Sequence, residues 1–188
     1  MKIPAKINLH HFTAILFSLI LSACSIAPAT SHSLVTPREL IQNVGNIVEF
    51  QKISDYEFVG KRLDIDLNAG SVSNVYIRGG GTPSIQLSAA AVKDSTIFET
   101  SSFKYYQWLN PGARMKNYLS VNINKSFCMK ESDIQKDARF VRYVSFDEQR
   151  AGFFYGYQIL GTTALFKFSP ETLCAVSLSI VEAEAEGI

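Results

Sequence analysis

Cysteines, histidines and one closely spaced pair of aspartates are the side chains whose chemistry would decide whether this chain is an enzyme. A thiol can act as a nucleophile, bind zinc, carry a lipid or form a disulfide, and an imidazole can act as a base or a metal ligand. Paired carboxylates can serve as acid and base. The residues concerned are Cys24, Cys128, Cys174, His10, His11, His32, Asp64 and Asp66. Their positions along the chain decide which of these reactions is open to them.

The N-terminal segment has the layout of a targeting leader. Lys2 and Lys6 precede an uncharged apolar run over residues 12–21. A helix that spans a bilayer needs about 20 apolar residues, so this shorter run is typical of a secretory signal that is removed. The run ends in Leu21-Ser22-Ala23-Cys24, which resembles the lipobox of bacterial lipoprotein precursors.

This resemblance implies a signal peptide over residues 1–23, a lipid on the Cys24 thiol and a tether over residues 24–35. Stable anchoring takes two or more acyl chains, and lipoprotein maturation supplies three. Ser25 stands where an aspartate would retain a lipoprotein at the inner membrane. The resemblance therefore implies an outer-membrane anchor with the domain facing the periplasm. The alternative is an ordinary signal peptide with a chance cysteine.

Residues 36–188 are expected to form a single domain, because this length suffices for one hydrophobic core. The leader removes Lys2 and Lys6, so 18 Lys and Arg become 16, against 17 Asp and Glu. With no long basic run and a balanced charge, nucleic acid is excluded as a partner.

Histidine is scarce after the leader, since only His32 in the tether remains. The sequence therefore predicts neither a catalytic triad nor a zinc site in the domain, and no enzyme activity, metal or cofactor. Chemistry that uses only carboxylates or a lysine stays open. Asp64 and Asp66 could form a carboxylate pair on one strand face, or that face could simply be solvated. Residues 79–81, three glycines, indicate a flexible hairpin rather than a phosphate loop.

Cys128 and Cys174 are the pair left over if Cys24 carries lipid. In an oxidising compartment an even pair predicts a disulfide, and the wide spacing differs from the Cys-x-x-Cys of redox proteins. A bridge across this loop is worth about 4 kcal/mol in the chain-entropy account. Cys174 shares strand parity with Leu178 and Ile180, so its thiol is expected on the buried face.

The densest aromatic cluster of the chain is followed by basic residues. Aromatic rings with arginine are the composition of protein interface hot spots. The alternative is that alternate rings fill the core. The candidate partner-binding residues are Tyr105, Tyr106, Trp108, Arg114 and Lys116, with Phe103 beside them.

The secondary structure pattern predicts an α+β fold: one antiparallel sheet of hairpins with an N-terminal helix and a short helix near residue 135. Thr36-Pro37-Arg38-Glu39 has the form of a capping box and starts a helix over residues 37–47, and Ser132-Asp133-Ile134-Gln135 starts the second. Period-two alternation predicts the strands. The predicted strands include residues 63–67 closed by a turn at 68–70, 72–78, 85–89, 103–109, 119–123, 151–160, 163–168 and 172–181.

Two family resemblances concern function. Residues 128–181, a helix followed by a three-stranded meander, are similar in outline to the half-unit of assembly lipoproteins and beta-lactamase-inhibitor-like domains. Arg139-Phe140-Val141 lacks the glycine those units carry after the helix. The chain also combines a lipobox, a β-rich domain and a cysteine, Cys174, in a late strand. In this combination it resembles the immunity proteins of type VI secretion toxins, which are small periplasmic lipoproteins.

These resemblances imply a binding protein rather than an enzyme. The predicted function is a lipid-anchored module that binds a protein, with a secreted toxin as the partner of an immunity protein. The alternative is a structural or assembly lipoprotein that contacts an envelope component.

Overall fold

A computed structural model describes residues 35–75, 84–91, 95–109, 115–143 and 152–183. Helix α1 spans Pro37–Phe50 and helix α2 spans Tyr56–Leu63; strands β1 to β4 follow at Leu67–Val75, Ser84–Ala91, Phe98–Trp108 and Met115–Ile123. After a 3-10 turn at Lys125–Phe127 come helix α3 at Glu131–Ile134 and strands β5 to β8, at Val141–Tyr143, Phe153–Ile159, Thr162–Phe168 and Ala175–Ala183. The α+β prediction is confirmed.

The eight strands within the described residues belong to one antiparallel sheet in the order β1-β2-β3-β4-β8-β7-β6-β5. The sheet therefore consists of two four-stranded meanders, β1–β4 and β5–β8, each preceded by helical residues. The two meanders join where β4 pairs with β8, with Leu119 opposite Ile180. The sequence predicts one helix and three strands over residues 128–181. The structure has a fourth strand there, the short and exposed β5, which lies between helix α3 and strand β6.

Helix α1 begins as its capping box predicts. The Thr36 hydroxyl accepts from the Glu39 N–H at 3.3 Å, and the Glu39 carboxylate accepts from the Thr36 N–H at 2.8 Å. The backbone N–H of Thr36 and its hydroxyl both donate to the Glu39 carboxylate and hold the pKa of Glu39 below its usual range. The helix continues to Phe50 rather than stopping at residue 47, because Ile47 and Val48 are buried and extend its apolar stripe.

The predicted strand over residues 63–67 is wrong, and so is its turn at 68–70. Asp55 accepts from the Phe58 N–H at 2.9 Å and caps helix α2, whose residues Val59 and Leu63 are buried one turn apart. The helix ends at Asp64, which adopts the left-handed conformation. β1 then runs through the predicted turn. Capping and helical spacing outweighed the short apolar alternation.

The core lies between the helices and one face of the sheet. Leu40, Val44 and Ile47 of α1 are buried there. Aromatic residues of β6 and β7 pair across the strands on this side: Phe153 stacks on Phe168 with 5.3 Å between ring centroids. The buried residues of the middle strands are Tyr105, Leu119, Val121, Ile123, Tyr155, Ala164, Phe166, Leu178 and Ile180.

Helix α3, the second of the two predicted helices, is shorter than its sequence pattern indicates. It begins at Glu131, with Lys130 rather than Ser132 as the N-cap, and the Asp133 carboxylate accepts from the Lys130 N–H at 3.1 Å. Among the described residues no helix is long and apolar enough to cross a membrane. The leader, the tether from Cys24 to residue 34, the three glycines at 79–81 and the Asn110-Pro111-Gly112 segment lie outside the described residues.

Candidate partner-binding face

Strand β3 divides the predicted aromatic cluster between the two faces of the sheet. Tyr105 points to the helices, is fully buried and donates its hydroxyl to the Ile53 carbonyl at 2.8 Å. Burial raises the pKa of Tyr105, with a smaller contribution from the charge of Asp55. Tyr106 and Trp108 point to the opposite face, where they are half-exposed. Both alternatives for the cluster thus apply, to different rings.

The face opposite the helices, here called the uncovered face, is defined by the strand register. One row of paired residues crosses it from Ser88 of β2 through Tyr106, Tyr118 and Val181 to Thr163 of β7. The next row runs Lys104, Ser120, Ser179, Leu165, Gly156 and Val141. None of the described helices lies on this face, and apart from Gly156 the residues in these rows are half-buried or exposed.

Three rings form an aromatic group on the uncovered face. Tyr106 and Tyr118, on neighbouring strands, have centroids 6.2 Å apart and planes 10° from parallel. Tyr106 and Trp108 meet edge to face, also at 6.2 Å. Such pairs are stabilising beyond their burial and hold each other's orientation. A partner would therefore meet an ordered apolar surface rather than mobile side chains.

A second apolar group lies at the other end of the same face. Gly156 of β6 has no side chain, and Tyr143 and Leu165 occupy the space above it: a Cβ there would lie 2.6 Å from the Tyr143 ring and 2.7 Å from Leu165. Val141 and Tyr143 of the edge strand are exposed. Between this group and the aromatic one lie the small hydroxyl residues Ser120, Ser177 and Ser179, together with Val181 opposite Tyr118.

The basic residues of the predicted site are only partly accounted for. Lys116 is exposed at the start of β4, one residue before Asn117, where the register with β8 shifts. Arg114 lies outside the described residues. Tyr118 was missed by the sequence prediction, although the inward alternation of Leu119, Val121 and Ile123 places it on the outward face. That signal was available in the sequence.

On the helix side, Arg139 holds the segment after α3 against α1. Its guanidinium donates to Glu49 at 2.9 Å and to Asp137 at 2.6 Å, and lies 5.7 Å from the Tyr157 ring centroid. The hydrogen bonds from Arg139 lower the pKa of Asp137, and the same bonds raise the pKa of Arg139. This cluster is an internal support, since its charges satisfy one another.

A crevice of about 440 Å³ lies between α1 and α3, lined by Arg38, Ile41, Gln42, Asp133, Lys136, Asp137 and Ala138. Lys136 pairs with Asp133 at 3.4 Å across one wall. The lining contains no histidine or cysteine and opens beside an ion-paired cluster. Its carboxylates are engaged with neighbouring cations, Asp133 with Lys136 and Asp137 with Arg139.

The two domain cysteines lie together. Cys128 and Cys174 have Cα atoms 5.1 Å apart across 46 residues of sequence and are at disulfide distance. Cys174 precedes β8 in an isolated bridge with Lys130, and the register shifts near the start of β8. It is half-buried rather than continuing the parity of Leu178 and Ile180, which corrects the parity prediction.

The predicted carboxylate pair does not exist as such. Asp64 is the C-cap of α2 and Asp66 lies in the link to β1, so the two do not share a strand face, and both are exposed. Within the described ranges, no three His, Cys, Asp or Glu side chains are grouped as a metal ion would require. Cys24 lies outside these ranges.

Comparison of the chain with protein-family models, with curated proteins and with solved structures gives no match.

Proposed function

We propose that this chain is a lipid-anchored, non-enzymatic module of the outer membrane that binds a protein on the uncovered face of its sheet. The observation that carries the proposal is the aromatic group of Tyr106, Trp108 and Tyr118. These rings are half-exposed, packed on one another and set on rigid strands. Tyr and Trp bring large contact area with little loss of conformational entropy and are enriched at interface hot spots.

The breadth of this face supports a protein as the ligand. It has a second apolar group around Tyr143 and Leu165, with serines between the two groups. Two apolar patches separated by hydroxyls suit a broad partner surface better than a small molecule, which prefers one concave pocket. The lipobox resemblance at Cys24 supports the anchor, and the proposed partner is a secreted toxin.

Site-specific photo-crosslinking in living cells tests the binding face. A photoreactive residue at Ser88, beside Tyr106, should crosslink one predominant protein. The same residue at Phe50, exposed on the helix side, is the matched control and should not. Trp108→Ala in the Ser88 reporter should reduce capture at least tenfold. Equal capture from both positions, or capture unchanged by Trp108→Ala, would contradict the proposal.

The identity of the captured protein separates the two functions considered. A secreted effector whose activity the chain blocks supports the immunity function. Capture of an envelope-assembly component would instead support the alternative function of a structural or assembly lipoprotein.

The anchor is tested separately. Cys24→Ala should abolish lipid labelling of the chain and leave the precursor unprocessed. Cys174→Ala, which removes a different thiol, should retain lipid labelling. Unchanged labelling in Cys24→Ala would refute the anchor.

A further inference from the structure

Charged side chains on the uncovered face are mostly lysines. Register places Lys104 there, opposite Ser120, and Lys167, opposite Ser177. Lys167 lies 6.0 Å from the Phe154 ring centroid. Among the described residues, the acidic side chain on this face is Glu99 at its rim. The Glu99 carboxylate accepts from the Asn122 side chain at 3.2 Å. The described part of this face therefore has a positive excess.

The described charges of the helix side balance. Residues 37–66, which form α1, α2 and their links, contain six acidic and four basic residues, and residues 125–142, which include α3, contain three acidic and five basic. Asp133 and Asp137 of the second segment are engaged by Lys136 and Arg139. The described part of the uncovered face thus has more basic than acidic side chains, whereas the described helix side has equal numbers of both.

We infer that the protein partner presents an acidic surface to this face. The inference rests on the proposed function and narrows the partner's chemistry. The aromatic group would fill one apolar centre of the contact. Lys104 lies beside Tyr106 on β3, whereas Lys167 lies on β7 near the second apolar group, and both would pair with carboxylates. Charges around an apolar centre steer encounter and select among partners. A neutral or basic surface would leave these ammonium groups opposed by no countercharge.

An anionic membrane surface would also attract lysines, but the face suits it less. The hydroxyl residues Ser120, Ser177, Ser179 and Thr163 outnumber the apolar Val181 in its middle, and hydroxyls on a sheet gain little from contact with lipid. Surface-binding elements instead pair an apolar stripe with many basic residues.

The single tryptophan, Trp108, provides a reporter on the face itself. The full chain in neutral detergent is titrated with a decaglutamate peptide, and with decalysine as the charge control, while Trp108 emission is recorded. Decaglutamate should shift the emission with saturation, and salt should weaken the effect. Lys104→Glu/Lys167→Glu should weaken binding at least about fivefold. Lys52→Glu/Lys61→Glu, on the helix side, should change it less than about twofold.

Equal binding of decaglutamate by the wild type and by Lys104→Glu/Lys167→Glu would overturn the inference. So would an emission response to decalysine of the same size. Quenching of Trp108 by vesicles that contain brominated phosphatidylglycerol, lost in the same double variant, would replace the acidic protein with a membrane.

The proposed function fails on a different result. If Trp108→Ala leaves cellular capture intact, the face does not bind the partner at all. If Trp108→Ala abolishes capture while Lys104→Glu/Lys167→Glu captures normally, the face binds its partner without the charge preference.

Discussion

The guanidinium of Arg139 packs directly on Gly45 of helix α1. A Cβ built at position 45 would lie 2.5 Å from the Arg139 Cζ, so any side chain there displaces the guanidinium. The glycine thus makes room for the ion pairs of Arg139 with Glu49 and Asp137. Gly45→Ala should gain about 1 kcal/mol of helix propensity and lose more than that in charge-assisted hydrogen bonds. We expect a net loss of about 1 kcal/mol in the free energy of unfolding, measured with urea.

The control for this prediction is the same substitution without the arginine. In an Arg139→Ala background, Gly45→Ala should stabilise the protein by about 1 kcal/mol, because only the gain in helix propensity remains. Destabilisation by Gly45→Ala in both backgrounds would show that the close contact with Arg139 is not the cause.

Asp137 makes stability depend on pH in the acid range. Its folded pKa is lowered by the hydrogen bonds from Arg139, so its contribution is present above the ordinary aspartate pKa and is lost as the pH falls through the lowered value. Asp137→Asn should therefore lose less stability than the wild type between neutral pH and about pH 3. Urea unfolding at both pH values measures this. Asp66→Asn, at an exposed position, should follow the wild-type curve.

The cysteine pair should stabilise the fold as a disulfide. Reduction should lower the free energy of unfolding by about 2 to 4 kcal/mol, because a closed loop limits the unfolded chain. Cys128→Ser/Cys174→Ser should show the same loss and no further effect of reductant. Intact mass after alkylation is the direct measurement: two labels should appear only after reduction. Two labels on the unreduced protein would exclude the bridge.

The hairpin between β6 and β7 has a residue poorly suited to its conformation. Leu160 has φ 42° and is 80% exposed, and Gly161 after it has φ 87°. A left-handed residue other than glycine costs about 1 to 2 kcal/mol, and asparagine tolerates it best. Leu160→Asn should raise the free energy of unfolding by about 0.5 to 1 kcal/mol, while Leu160→Val should lower it. Thermal and urea unfolding would both report the difference, and a loss with Asn would refute it.

The sheet was predictable where one strand parity is apolar and the other polar. Leu119, Val121 and Ile123 alternate with Ser120 and Asn122, and the structure buries the first set and leaves the second half-buried or exposed. The same rule fails for β3, because the adjacent residues Tyr105 and Tyr106 place aromatic rings on both faces. The choice between them depends on a distant residue: the Ile53 carbonyl accepts from the Tyr105 hydroxyl.

Helix α2 and strand β5 were missed for local reasons. Asp55 caps the eight residues of α2, which contain a buried pair four residues apart, but the alternation that begins at Leu63 overlaps the last turn of the helix. The three residues of β5 are all exposed, so no burial pattern marks them. The uncovered face as a surface could not be read from one strand, since it exists only in the register between strands.

Paired residues within each meander of the sheet are close in sequence, whereas the residues paired at the junction of the two meanders are far apart in sequence. Each hairpin within β1–β4 or β5–β8 closes over a short loop, whereas β4 meets β8 only after the whole second meander has been made. Contacts of long sequence separation form late in folding and are the costliest to close. We therefore expect the native protein to open locally at the β4–β8 junction, so that hydrogen exchange reports the two meanders as separate units. Cys128 follows β4 and Cys174 precedes β8, so a disulfide between them would hold the two strands together at one end of the junction. Reduction should therefore speed hydrogen exchange first at the β4–β8 pairing.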